Sequence, residues 1–223
     1  MTDHYSKMPT LANMKEAAKA FSRILTEHNI EHAFIGGFAL QMLGNVRETF
    51  DIDVEVDMDI EDFRGRIVKI LSATDPRFVF SNLKIFFRPG GQGSPIPIET
   101  LARGMLGLPR QFSILCPGDG SVPILEPGVL ILTKMKRATQ YIGSTRPQSV
   151  LKYGGDLQGI LHLLAWLRNR NKKIDFVAYD AASPERLYDA VRNMRNHWAR
   201  LGQSNNVGML DSALKPSDKA KVE

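Results

Sequence analysis

"GGFALQMLGNVRETFDIDVEVD", residues 36–57, joins two different patterns. A glycine pair enters a short helical run that Gly44 closes, and then "TFDIDVEVD" alternates strictly between apolar and acidic residues, which is the mark of a strand. Ile52, Val54 and Val56 belong to one face, and Asp51, Asp53, Glu55 and Asp57 to the other. A period of two puts Asp51 and Asp53 on the same face, about 6–7 Å apart along the chain. Two readings are open. Either this is the solvated face of an antiparallel strand, or the paired carboxylates converge on a divalent cation. Mg²⁺ suits the second reading, because it takes hard oxygen ligands and keeps positions open for substrate phosphates.

Working outward, "HAFI" before the glycines reads as a short apolar strand. A strand that runs through Gly36-Gly37 into a helix presents free backbone N–H groups and the positive helix end to an anion. Glycine also lets the backbone approach a phosphate closely. The competing reading is a tight turn with no ligand. An anion site followed by a cation site on the next strand is the arrangement a metal–nucleotide complex needs.

"IGGFAL" and "RETFDIDVEV" together resemble the signature of the nucleotidyltransferase superfamily with the DNA polymerase β-type fold. The similarity is nearest to the minimal nucleotidyltransferase and abortive-infection toxin-like group, in which an Arg-x-Thr, matched here by Arg47 and Thr49, precedes the acidic strand. The resemblance implies that Gly36 and Gly37 hold a nucleoside triphosphate and that Asp51 and Asp53 bind Mg²⁺. It also implies a third carboxylate from a neighbouring strand. Glu99 in "PIPIETL" stands in the expected order, where the family more often has Asp, as a metal ligand or as the general base for an acceptor hydroxyl. The plain alternative is an edge-strand glutamate, and Pro97 confines that strand to an edge or a bulge. "EPGVLILTKMKRATQ" resembles the family helix that points a lysine, here Lys134, at the phosphates. "KYGGDLQGILHLL" resembles the next helix, with Lys152 and Asp156 in the matching places. Asp156 also reads as a helix cap after Gly154-Gly155, and Lys136 and Arg137 as solvated charges.

The rest of the chain bounds these readings. Its 223 residues suffice for a substantial core. A net charge of +5 favours acidic partners such as nucleotides, although the basic residues are spread diffusely over helices. The single cysteine, Cys116, excludes an internal disulfide, fits a reducing compartment and reads as structural. Neither an apolar start nor a run of about 20 apolar residues is present, so the expected location is cytoplasmic, away from membranes. The loop "RPGGQGSP" lacks the Gly-Lys-Ser/Thr of a P-loop and reads as a hairpin. His162 reads as a core residue, and Trp166 and Trp198 as packing. A helix is expected over residues 11–28, another over "IEDFRGRIVKILSA", and strands in "RFVFSNLKIFFRP", "SPIPIETL", "RQFSIL" and "VPILE". Three helices then follow Pro127.

The expected architecture is α+β: a mixed sheet flanked by helices over residues 1–125, a helical lobe over 126–201, and a flexible polar tail over 202–223. The expected activity is Mg²⁺-dependent transfer of a nucleoside monophosphate, AMP from ATP first among the NTPs, to a hydroxyl-type acceptor, with a small molecule favoured. The competing classes are a non-catalytic nucleotide- or partner-binding protein on the same fold, and a toxin-type enzyme that modifies tRNA or protein.

Overall fold

The computed structural model describes residues 9–58, 63–82, 84–90 and 93–223, with the side chains of Phe63 and Arg64 left aside. The chain forms two compact units, residues 1–105 with 114–125, and residues 106–113 with 126–223.

The first unit is built on a mixed sheet. Its strands are β1 (His32–Ile35), β2 (Ile52–Val56), β3 (Phe78–Ser81), β4 (Lys84–Phe87), β5 (Ile96–Ala102), β6 (Ile114–Leu115) and β7 (Ile124–Leu125), in the spatial order β3-β4-β5-β2-β1-β7-β6. β1 and β2 are antiparallel, whereas β2 and β5 run parallel. Helices α1 (Leu11–Glu27), α2 (Gly36–Met42) and α3 (Phe63–Thr74) belong to the same unit. α1 starts where the Thr10 hydroxyl accepts from the Asn13 N–H at 3.2 Å. Its buried stripe of Met14, Ala18, Phe21 and Leu25 is the three- and four-residue spacing of the sequence. Phe21 meets Phe34 of β1 and Phe78 of β3 edge-on, and Phe34 meets Phe38 of α2. Ile52, Val54 and Val56 are fully buried, so the apolar half of the alternating strand is core.

Two strand expectations change. "RFVFSNLKIFFRP" is two strands, because Asn82 adopts a left-handed φ of +49° and turns β3 back as β4. β5 is an interior strand between β4 and β2, not an edge. Pro97 stands opposite Phe86 of β4, and the pairing with β2 begins one residue later, at Ile52↔Ile98. Gly91 and Gln92 of the glycine-rich loop lie outside the described residues, as does Ile60 before α3.

The second unit is helical: α4 (Pro127–Ala138), a 3₁₀ turn (Thr139–Tyr141), α5 (Pro147–Asn169), α6 (Pro184–Arg200), α7 (Ser204–Ala213) and α8 (Pro216–Val222). Prolines sit in the first turns of α4, α5, α6 and α8, where no N–H is missed. Trp198, Tyr179, Leu163 and Met194 are its core. The segment after Gly202 is not a loose tail. Leu210, Ala213, Leu214 and Val222 are buried, Arg195 of α6 pairs with Asp211 of α7 at 2.9 Å, and the Tyr188 hydroxyl donates to Asp218 of α8 at 2.9 Å. A few apolar anchors and a set of polar docking contacts replace the periodicity that the sequence lacks. Cys116 is exposed and contributes nothing to the core. Among the described residues no helix is long and apolar enough to cross a membrane.

Candidate active site

The register of three adjacent strands assembles the site. Asp53 on β2 stands across from Ile35 on β1 and from Glu99 on β5. Directly opposed residues in a sheet share a face about 5 Å apart, so Glu99 is carried to the side of Asp53, and Gly36 follows immediately after Ile35. Asp51, two residues before Asp53, keeps the same face. The outcome is a cluster in which one carboxylate oxygen from each of Asp51, Asp53 and Glu99 lies within 4.8 Å of the others. Among the described residues it is the one group of three or more His, Cys, Asp or Glu side chains that comes this close. Asp53 is half-buried, and Glu99 is exposed.

The glycine pair has a second duty in this arrangement. Gly36 has φ +69°, which favours glycine, and a Cβ there would lie 1.8 Å from Asp53 Oδ2. A Cβ on Gly37 would lie 2.6 Å from Thr49 Oγ1. The Thr49 hydroxyl in turn donates to Asp51 Oδ1 at 2.9 Å. Each glycine therefore makes room for the support of one aspartate. The loop that delivers Thr49 is itself held: the Gln41 amide donates to the Arg47 carbonyl at 3.1 Å, and the Arg47 N–H donates to Asn45 Oδ1 at 2.8 Å.

Glu55 and Asp57, the other two acids of the alternating run, are not part of the cluster. Glu55 is fully buried and accepts from the Gly104 N–H at 2.9 Å. Asp57 pairs with Arg103 at 2.8 Å. Of the four carboxylates, only the two N-terminal ones belong to the metal-type site. Sequence reading offered no signal for the other two, because their partners lie some fifty residues along the chain.

A cavity of about 950 Å³ borders the cluster. Asp51 and Glu99 line it, together with Ile67 and Val68 of α3, Phe80 of β3 and Lys84 of β4. Arg47 lines it as well. Phe80 and Lys84 carried no motif and were not legible as site residues beforehand.

The lysines expected at the phosphates belong to the second unit. Lys134 is 4% exposed, with its Nζ 3.6 Å from Asp156 Oδ1. Asp156 is buried within α5, not at a helix cap, and also accepts from Arg137, whose Nε donates to Oδ2 at 2.7 Å. Arg137 is thus no merely solvated charge. Neither is Lys136, which donates to the Leu106 carbonyl at 3.1 Å and to the Tyr179 hydroxyl at 3.3 Å. Lys152 is exposed on α5. Helix α5 runs unbroken through Gly154 and Gly155.

The donor set fits a hard divalent cation: three carboxylates converge from two strands, with solvent access left for further oxygen ligands. The mixed sheet, the glycine turn ahead of an acidic strand and the carboxylate from its parallel neighbour make this a nucleotidyltransferase fold. Over 94% of its length the chain is similar to an antigenic nucleotidyltransferase-like protein from Paracoccidioides brasiliensis, with a TM-score of 0.63 at 17% identity, covering 97% of that chain. A solution structure of the antibiotic-resistance factor ANT(2'')-Ia gives a TM-score of 0.44 at 16% identity, over 88% of this chain and 99% of that one. No protein-family model and no curated protein matches the sequence.

Proposed function

We propose that the protein is a metal-dependent nucleotidyltransferase that moves AMP from ATP to the hydroxyl of a small-molecule acceptor. The observation that carries this reading is the convergence of Asp51, Asp53 and Glu99 beside the Gly36-Gly37 turn. Mg²⁺ is the ion these oxygens suit, and when bound it supplies Lewis acidity at the α-phosphate and relieves the mutual repulsion of the carboxylates. Asp51 and Asp53 hold the ion. Thr49 fixes the orientation of Asp51. The glycine turn lets the triphosphate approach the backbone closely. Glu99 would complete the ligand set or take the proton of the attacking hydroxyl as general base. The acceptor oxygen attacks the α-phosphorus, the bond from that phosphorus to the bridging oxygen breaks, and pyrophosphate leaves. Positioning and fixed charge carry the rate, since little covalent chemistry falls to the protein. The presence of Glu99 in the cluster favours this reading over a non-catalytic nucleotide binder. The size of the adjoining cavity favours a small acceptor over tRNA or protein. A reducing, cytoplasmic setting is consistent with the single cysteine.

The test is incubation with Mg²⁺ and each NTP labelled on the α-phosphate, with acceptor mixtures and with tRNA in parallel, measuring pyrophosphate and labelled product. Metal-dependent product from ATP that disappears in Asp53→Asn is the expected result. Metal-dependent nucleotide binding with no transfer to any acceptor class would favour the non-catalytic protein.

A further inference from the structure

The register that builds the carboxylate cluster continues one strand further. β4 and β5 pair as Phe87↔Ile96, Phe86↔Pro97 and Ile85↔Ile98. The next step of that ladder sets Lys84 against Glu99, which itself stands across from Asp53. Burial follows the same alternation: Ile85 and Phe87 of β4 are buried, as are Ile96 and Ile98 of β5, whereas Lys84 and Glu99 are exposed. Asp53, Glu99 and Lys84 therefore follow one another across the open face of three adjacent strands, at about 5 Å per strand. Lys84, Asp51 and Glu99 also border the same cavity.

An ammonium one strand away from three clustered carboxylates changes its work when an ion binds. Without the ion it offsets part of the carboxylate repulsion, as a cross-strand opposite charge. As a contact of the fold alone, an exposed pair of this kind is worth little. Once a divalent ion takes Glu99, the positive charge beside it opposes the ion and attracts any anion that the ion carries. A divalent ion against the three carboxylates leaves one net negative charge, and a nucleoside triphosphate adds more. In the proposed reaction the ion acts at the α-phosphate, so the oxygens of that phosphate lie beside the metal ligands. The flexible four-carbon stem of a lysine spans one strand spacing to reach them.

We infer that Lys84 contacts the α-phosphate of the bound nucleotide and makes the site favour a metal–nucleotide complex over the bare ion. This rests on the nucleotidyltransferase reading. It assigns to a strand of the first unit the charge that the sequence pointed to in Lys134, which is buried against Asp156. The role has a signature of sign. Removing the charge should leave affinity for a bare divalent ion unchanged or raise it, because a repelling neighbour is gone, and should weaken the nucleotide complex. A residue that merely supports the cluster would weaken both. The full chain and its Lys84→Met and Lys84→Arg variants, each shown to be folded by circular dichroism, are titrated with Mn²⁺ alone, followed by electron paramagnetic resonance. They are then titrated calorimetrically with ATP in Mg²⁺, with no acceptor present. Lys84→Met should bind Mn²⁺ at least as tightly as the parent and ATP–Mg²⁺ about tenfold more weakly, as for loss of a charge-assisted contact. Lys84→Arg keeps the charge and should keep most of the ATP affinity. Equal ATP–Mg²⁺ affinity in Lys84→Met and the parent, or parallel losses of Mn²⁺ and ATP, would overturn the inference alone. A parent that binds Mn²⁺ saturably and takes no ATP would overturn the nucleotidyltransferase reading, and the inference with it.

Discussion

Replacing Gly36 with alanine separates backbone strain from damage to the site. The new Cβ would sit 1.8 Å from Asp53 Oδ2 and 2.7 Å from its Cγ. Non-bonded contact requires the carboxylate to retreat by at least about 1 Å, whereas metal ligands tolerate displacements of only about 0.2 Å. Asp53 would be lost as a ligand, and affinity for a divalent ion should fall by tenfold or more, the range seen when ligand support is removed. The left-handed φ of +69° adds roughly 1–2 kcal/mol of destabilisation. Gly44→Ala is the control: its φ is +89°, and nothing lies within 4 Å of the added Cβ. Both variants should lose comparable stability in metal-free urea unfolding, while only Gly36→Ala should lose metal affinity by calorimetry. Equal metal affinity in Gly36→Ala and the parent would refute the claim that this glycine exists to seat Asp53.

Three further outcomes follow from the structure. Glu99→Gln should reduce nucleotidyl transfer by about 10² or more, as for loss of a general base, while ATP–Mg²⁺ affinity changes far less; comparable losses in both would make Glu99 a binding group only. Asp156→Asn removes the buried charge that Lys134 and Arg137 both face, so thermal unfolding should show a loss of about 3 kcal/mol or more. His32 is buried, donates from Nδ1 to the Ile30 carbonyl at 3.0 Å and accepts from the Ser22 hydroxyl at 2.8 Å, and burial holds its pKa below 6.5. Because the unfolded chain takes up the proton first, the contribution of His32 is full above pH 6.5 and is lost as pH falls through the depressed folded value; His32→Asn should flatten that part of the stability profile.

The portions of the fold that could be read from sequence are those with local causes. The glycine turn, the alternating strand and the α1 stripe each announce themselves within a few residues. Glu99 was found by its order in the chain, but its register against Asp53 depends on a parallel pairing between strands more than forty residues apart. Pro97 misled for the same reason: whether a proline breaks a ladder depends on where the partner strand begins. Arg137 was misjudged because its partner Asp156 lies on another helix, and the partners of Glu55 and Asp57 were illegible for the same reason. Helices α7 and α8 escaped because a short polar helix is stabilised by its docking contacts and not by its own propensity.

The central claim is that Asp51, Asp53 and Glu99 share one divalent ion beside the glycine turn. It is tested most directly by titrating Mn²⁺, observed by electron paramagnetic resonance, into the parent and into Asp51→Asn, Asp53→Asn and Glu99→Gln, each shown to be folded. Saturable binding in the parent that weakens by tenfold or more in all three variants is the predicted result. Binding of equal strength in the parent and the three variants, or no saturable binding in the parent with ATP present, would contradict it.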